Sequence, residues 1–453
     1  MNDMDDKAVE RRKRRWPSFL AGAVCGALFA AAVYVYSTGF INIPFLGSIV
    51  IGGDPQKTVE TASGSDAARA EINYGRVNLK LRMIQSILVQ DYYYDEDAQA
   101  VEDGIFTGMM YGLTETDRYA AYYPAEEYAE QLNSTRGNYY GIGALISQDP
   151  ETNTMTVEKV YAKSPAEEAG LLAGDILKRV NREDITYMDL STVVDDYVKG
   201  EEGTYVNLTV ERGGETVELQ IKRGKVEIPS VYASLLSEEG GRKTGYIYVS
   251  GFEVATVGQF KEAVDAFIEE GAEGLVIDLR DNPGGVMDSA LSMLDYLLAD
   301  NIGAFSADEK TADKGKTLLL YTENKQGRAD SFYASDKHEV KLPVTVLMNA
   351  NSASASEIFA GVLKDYQKAE IVGTTSYGKG IVQTEFPLPD GSAIKYTSSQ
   401  YFTPSGYAVH GQGVAPDVEI EASEEFLETG ADPENPDPDA DNQLAEAIRE
   451  LYR

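Results

Sequence analysis

The sequence is poor in cysteine, histidine and basic charge, and each scarcity removes a class of chemistry. Its single cysteine, Cys25, lies inside an apolar run. The remainder of the chain therefore has no disulfide framework, no CxxC zinc site and no cysteine nucleophile. The two histidines, His338 and His410, stand far apart, which excludes a histidine-rich metal cluster. Lys and Arg number 40 against 74 Asp and Glu, a net charge of −34. So acidic a surface favours solubility and repels phosphate, so nucleic acid is excluded as a partner. No internal repeat is present, and nothing calls for a cofactor or a metal.

What is present begins with membrane signals. Arg11, Arg12, Lys13, Arg14 and Arg15 precede an uncharged stretch from Trp16 to Gly53. Its most apolar part, Phe19 to Tyr36, approaches the roughly 20 residues that span a bilayer. The basic cluster stays in the cytoplasm, so the downstream chain is expected outside it, on a bacterial exterior. An uncleaved single-pass anchor is expected over 19–40; a cleaved signal peptide is the alternative. Residues 52–70 are small and polar and read as linker. Apolar residues then recur at helical spacing from Ile72 to Leu88, and a second helix is expected over Ala98 to Tyr111. The acidic, proline-containing stretch from Glu424 to Asn442 reads as disordered, with a short closing helix over Gln443 to Tyr452.

Between these ends lie two blocks. Residues 137–224 carry short β-type runs such as MTVEKV, VNLTV and TVELQI, punctuated by glycine. Residues 243–420 alternate strands and helices: GYIYVS, a helix through Phe260 to Ile268, GLVIDLR, a helix after Gly285, VTVLMN, and a helix from Ser354. That alternation predicts an α/β layered core with partly parallel strands. In the first block Gly141-Ile142-Gly143 opens a β-type run, where successive glycines let backbone amides converge on a peptide's terminal carboxylate. An exposed strand edge beside such a loop can take an extended peptide as an added strand. The Gly141–Gly143 loop, the Ser164-Pro165-Ala166…Ala169-Gly170-Leu171 stretch and Gly174-Asp175-Ile176-Leu177 together resemble a PDZ domain. A lone Gly-x-Gly is also an ordinary tight turn.

Three elements of the second block carry chemistry. VTVLMN runs into Ala350-Asn351-Ser352-Ala353-Ser354-Ala355-Ser356-Glu357, a strand entering a helix through small residues. A serine there meets free backbone amides and the positive end of the helix dipole, the ingredients of an oxyanion hole. The same Ser354-x-x-Glu357 spacing is a capping box, which needs no catalysis. These residues do not choose among Ser352, Ser354 and Ser356. Second, Tyr377-Gly378-Lys379-Gly380 follows the strand AEIVG. If a strand starts at Gly380, Lys379 and Gln383 share a face. A lysine is a base only if burial lowers its value of about 10.4 by several units; an exposed loop lysine is the plainer alternative. Third, Asp278-Leu279-Arg280-Asp281-Asn282-Pro283-Gly284-Gly285 turns its glycine amides toward the carboxyl end of the sheet, or is simply a strand-to-helix turn.

Together with Tyr401-Phe402-Thr403-Pro404-Ser405-Gly406 and Gly413-Val414-Ala415-Pro416-Asp417, these blocks resemble the C-terminal processing (tail-specific) peptidases over about residues 72–420. That family comprises Ser-Lys serine proteases with an inserted PDZ domain. The resemblance implies Ser354 as nucleophile, Lys379 as general base assisted by Gln383, and an oxyanion hole from the Ala355 amide with Gly284 or Gly285. It also implies protein or peptide substrates with accessible C-termini, held by the PDZ domain at Gly141, Ile142 and Gly143, and a homodimer formed by the N-terminal helices. The expected organisation is multi-domain α/β. It comprises a cytoplasmic basic segment (1–18), a transmembrane anchor (19–40), a linker (41–70) and a helical region (71–136). A PDZ domain (137–224), a peptidase core (225–423) and an acidic tail (424–453) follow. Two rival readings are a Ser-His hydrolase using His410 and an inactive PDZ scaffold at the cell surface.

Overall fold

The computed structural model describes residues 40–43, 47–50 and 72–453, except 136–137, 151, 238–240, 303–314, 328 and 430–431. The anchor expected over 19–40 lies outside these residues apart from Phe40. Among the described residues no helix is long and apolar enough to cross a membrane. The chain divides into two units, 1–95 and 96–453. In the first, Phe40–Ile43 pairs antiparallel with Gly47–Val50, at the junction of the expected anchor and the linker expected over 41–70. The helix expected from Ile72 runs Tyr74–Asp91, started by Asn73, whose side chain accepts the Arg76 amide at 2.9 Å. None of its residues is buried.

The expected helical region 71–136 is not one piece. Its second helix, Ala98–Tyr111, belongs to the second unit, capped by Asp97. After it the chain forms a strand, Ala121–Tyr123, and a further helix, Ala125–Thr135.

The glycine-punctuated block folds as an antiparallel sheet. Its order is Glu215–Lys222, Tyr205–Arg212, Ile176–Val180, Met155–Val160 and Ala144–Gln148, the last an edge. Its inward residues alternate, as in Val206, Leu208 and Val210, which gives the block its own core. Buried Asp175 holds the Gly170–Gly174 turn: it takes two hydrogen bonds from Arg212, both at 2.6 Å, and one from the Leu172 amide. That pairing holds its carboxyl below the usual range. The block's two connections pair as a ribbon, Asn138–Gly141 with Gly224–Glu227, so it extends slightly beyond the expected limit at 224.

The second block is built on a six-stranded sheet ordered Val231–Ser237, Lys243–Val249, Gly274–Asp278, Val344–Met348, Ala369–Gly373 and Val418–Glu419. The first pair is antiparallel and the rest are parallel. Every residue of Gly274–Asp278 and Val344–Met348 is buried, as a strand covered on both faces requires. One face (Leu275, Ile277, Val344, Val346, Ile371) packs on helices Thr256–Glu269, Met287–Leu297 and Ala355–Asp365. A second sheet runs Ala329–Tyr333, Leu318–Asn324, Ala393–Phe402, Ile381–Pro387, and Ala121–Tyr123 adds onto Ala393–Lys395.

The tail corrects an expectation. The described part of 424–442 carries a helix over Glu424–Thr429, and the helix Asn442–Leu451 covers the other face of the sheet. Its Leu444, Ala447, Ile448 and Leu451 bury against Tyr246, Val276, Leu347 and Val372. Gly274 leaves room for it: a Cβ there would lie 2.6 Å from Leu451. Asp441 caps the helix and, with Asp278, takes hydrogen bonds from the buried Arg280 guanidinium, tying the tail to the loop after Gly274–Asp278. The closing helix expected over Gln443 to Tyr452 is present; the stretch before it, expected to be disordered from its acids and prolines, instead carries the helix Glu424–Thr429. Leu444→Ala should lower unfolding free energy by about 2–5 kcal/mol, measured by urea titration. Leu427→Ala, on an exposed tail position, should change it by less than about 0.5 kcal/mol.

Candidate active site

Three adjacent parallel strands, Gly274–Asp278, Val344–Met348 and Ala369–Gly373, release the DLRDNPGG loop, the serine-rich turn and the lysine loop at the same carboxyl end of the sheet. This is where α/β sheets build ligand sites. The local structure separates the three serines. The Ser352 hydroxyl donates to the Leu279 carbonyl at 2.7 Å and that of Ser356 to the Asn282 carbonyl at 3.0 Å; both residues are fully buried. Ser354 instead lines a cavity of about 500 Å³. Its backbone is unusual, with φ 56° and ψ −113°, a non-glycine residue in left-handed territory. Such a conformation costs on the order of 1–3 kcal/mol and persists only where surroundings over-determine it. A strained strand-to-helix turn of this kind pushes a hydroxyl out from the sheet.

The capping-box spacing is kept, but it serves more than the helix. The Glu357 carboxylate accepts the Ser354 amide at 2.8 Å. The Glu357 amide bonds the Ser354 carbonyl at 2.9 Å. Glu357 is fully buried, and its two oxygens also accept the Ser376 hydroxyl (2.6 Å) and the amides of Gly378 (2.6 Å) and Lys379 (2.8 Å). From another direction the Tyr401 hydroxyl reaches both the Ser354 carbonyl (3.2 Å) and the Lys379 carbonyl (3.0 Å).

Lys379 lines the same cavity as Ser354, without a direct hydrogen bond between them. Its amine donates to Gln383 Oε1 at 3.3 Å, so the two residues do share a face of the strand Ile381–Pro387 and its approach. Burial, followed by the charge of Lys395, pushes the Lys379 amine below its ordinary value. The glycines beside it are dictated by close approach: a Cβ on Gly380 would lie 2.2 Å from the His410 amide nitrogen. His410 itself is exposed and does not line the cavity.

The NPGG turn lies directly on the serine. A Cβ on Gly284 would meet Ser354 Cβ at 2.8 Å and the Ala355 nitrogen at 2.9 Å. The Gly284 amide, however, donates to Asn282 Oδ1 at 2.8 Å. Of the two expected donors it is therefore the one already engaged, while Gly285 lines the cavity. Ala355 is the first residue of its helix, whose leading amides have no intrahelical acceptor.

The Gly141–Gly143 run is buried. The Ile142 carbonyl accepts the Ala166 amide at 2.7 Å, and a Cβ on Gly143 would collide with Ser164 at 2.3 Å. The run thus packs against the short helix Pro165–Glu168, and the open feature beside it is the edge strand Ala144–Gln148.

Several residues without a sequence signal complete the site. Tyr119 places its ring 4.3 Å from the Lys379 amine. Asp117 holds that segment in place by accepting the Thr397 amide at 2.7 Å, on the strand beside Gln383. Lys395, Glu253 and Glu385 add charge to the cavity wall, and Gln131 and Thr135 border it from the helix Ala125–Thr135.

Two outcomes follow from this geometry. Glu357→Gln replaces an acceptor by an amide that presents hydrogens to two of its four donors. It should lower unfolding free energy by on the order of 2 kcal/mol by leaving buried donors without an acceptor, checked by urea titration. The second concerns Lys379. Its charged form is disfavoured in the folded chain, so the unfolded chain binds more protons there up to the ordinary 10.5. The resulting penalty is present at neutral pH and fades as pH rises toward that value. Lys379→Met should therefore raise Tm at pH 7, with the gain shrinking toward pH 10, measured by calorimetry.

Comparison with known proteins agrees with this layout. The model of "Peptidase family S41" matches residues 243–420 and that of "PDZ domain" matches 142–222. The probable CtpA-like serine protease of Staphylococcus aureus strain N315 is 35% identical over 343 residues, covering 76% of this chain and 64% of that protein. Its counterpart in Staphylococcus epidermidis is 34% identical over 357 residues, 76% of this chain and 66% of that one. The chain thus spans somewhat under two thirds of these relatives. Among solved structures, the photosystem II D1 C-terminal processing protease aligns at TM-score 0.42 and 27% identity, over 77% of this chain and 87% of that one. Residues 243–420 are accordingly a domain of peptidase family S41, and residues 142–222 are a PDZ domain carried in the same chain.

Proposed function

We propose that the protein is an extracytoplasmic serine endopeptidase with Ser354 as nucleophile and Lys379 as general base. The observation that carries this reading is the cavity shared by a strained serine and a half-buried lysine of lowered basicity, both held on one carboxylate. Lys379 takes the Ser354 proton as the hydroxyl oxygen attacks a peptide carbonyl. The Ala355 and Gly285 amides hold the oxyanion. The tetrahedral species then collapses: the C–N bond breaks and the amine leaves with the proton from Lys379. Water, deprotonated by the same lysine, releases the acyl group. Gln383 orients the amine throughout.

The PDZ domain holds a substrate C-terminus as an added strand on the edge Ala144–Gln148. Membrane attachment rests on the basic cluster before the apolar run at the amino terminus. The exposed apolar residues of Tyr74–Asp91 support a second copy as partner. His410 fits the rival hydrolase poorly, because it is exposed and absent from the cavity wall. An inactive scaffold would have no use for the strain kept at Ser354.

Ser354→Ala and Lys379→Ala should each lower peptide cleavage by at least about 10³-fold, while His410→Ala retains it. Loss in His410→Ala alone, or casein cleavage that persists in Ser354→Ala, would overturn the assignment. Ser354→Ala expressed in cells should retain uncleaved substrates for identification by mass spectrometry.

A further inference from the structure

The cavity contains a second lysine that none of the steps above uses. Lys395 sits on the strand Ala393–Phe402, opposite Glu385 in register and two residues from Thr397, which lies opposite Gln383. It lines the cavity together with Ser354 and Lys379. Its amine donates to the Tyr123 hydroxyl and lies 5.0 Å from the centre of that ring. Among the described residues no carboxylate forms an ion pair with it, Glu385 included. The same pattern recurs on another side of Lys379, where Arg118 donates to the hydroxyls of Tyr119 and Tyr377. A cation held by a neutral phenol keeps its full field, whereas a carboxylate partner would cancel most of it.

The groups around Lys379 are of both signs. Glu357 bonds its backbone, and Tyr377, Tyr119 and Tyr401 adjoin it. His410 backs Gly380, while Glu253, Glu385 and Lys395 share the cavity wall. Arg118 is exposed, so water and salt screen it, and Lys395 is half-buried, where screening is weaker. Lys395 is therefore the stronger of the two cations at this site.

We propose that Lys395 is a positioning residue for the reaction's proton transfer: its un-neutralised charge, kept by Tyr123 in the shared cavity, adds to burial in disfavouring the ammonium of Lys379 and so favours the form that takes the Ser354 proton. Arg118 adds a smaller push of the same sign. Burial of Lys379 is the larger influence in the same direction, and the Glu357 charge opposes both. The proposal rests on Lys379 being the base.

The test is the pH profile of kcat/KM on a peptide amide, using the full chain. Activity needs uncharged Lys379 and falls on the acid side, so a group that favours the ammonium moves that limb to higher pH. Lys395→Gln should move it up by about one pH unit, a roughly tenfold loss well below the limb with the alkaline plateau largely kept. Lys395→Arg should restore the wild-type position, and Arg118→Gln should move it less than Lys395→Gln. Lys395→Met, of similar length and without charge, should move the limb by the same amount and keeps the test open if Lys395→Gln fails to fold. An unmoved limb with a lowered plateau would overturn the proposal and leave Lys395 a packing residue. A raised KM with an unmoved limb would overturn it in favour of a substrate contact. Full activity in Lys379→Ala would instead sink the underlying assignment of the base.

Discussion

The buried carboxylate of Glu357 is the constraint on which the site depends. It has about four acceptor positions, and four donors fill them: the amides of Ser354, Gly378 and Lys379 and the hydroxyl of Ser376. Burying a carboxylate is costly unless hydrogen bonds replace its water, and here every bond is charge-assisted. One rigid group therefore sets the serine turn and the lysine loop to a common origin. Tyr401 repeats the arrangement with the two carbonyls. Ser354 can stay in its strained conformation because both sides of its peptide are held.

The sheet supplies the platform. Three neighbouring parallel strands end together, so loops far apart in sequence meet above them. Behind the sheet, the terminal helix fills the second face and Asp441 holds Arg280 of the DLRDNPGG loop. The loop that packs on Ser354 is thereby braced by the last elements of the chain. The strand Ala121–Tyr123 plays a comparable part at the other sheet, bringing Tyr119 and Tyr123 to the lysines of the cavity.

Much of the architecture was legible in the residues. The runs GLVID and VTVLM, bounded by turn residues, are fully buried strands, and the helices Ala98–Tyr111 and Ala355–Asp365 fall where helices were expected. These features depend on period and local propensity, which a short window contains. The roles proposed for Ser354 and Lys379 rest on joint motifs and resemblance, since each alone reads as a cap or a loop residue.

Tertiary structure decided what a window cannot hold. Ser352 and Ser356 are told apart from Ser354 only by the carbonyls of Leu279 and Asn282, some seventy positions away. Glu357 looked like a cap because its capping half is local, while its bonds to Ser376, Gly378 and Lys379 cross from another strand. The stretch 424–442 read as disordered from its acids and prolines, while the closing helix was legible but the sheet face that buries its Leu444 and Leu451 was not. Lys395 and Tyr119 carried no signal at all. Sequence determined which segments are strand or helix, because backbone geometry is local. The fold decided which polar groups lose water and face one another, because burial is a property of residues brought together from the whole chain.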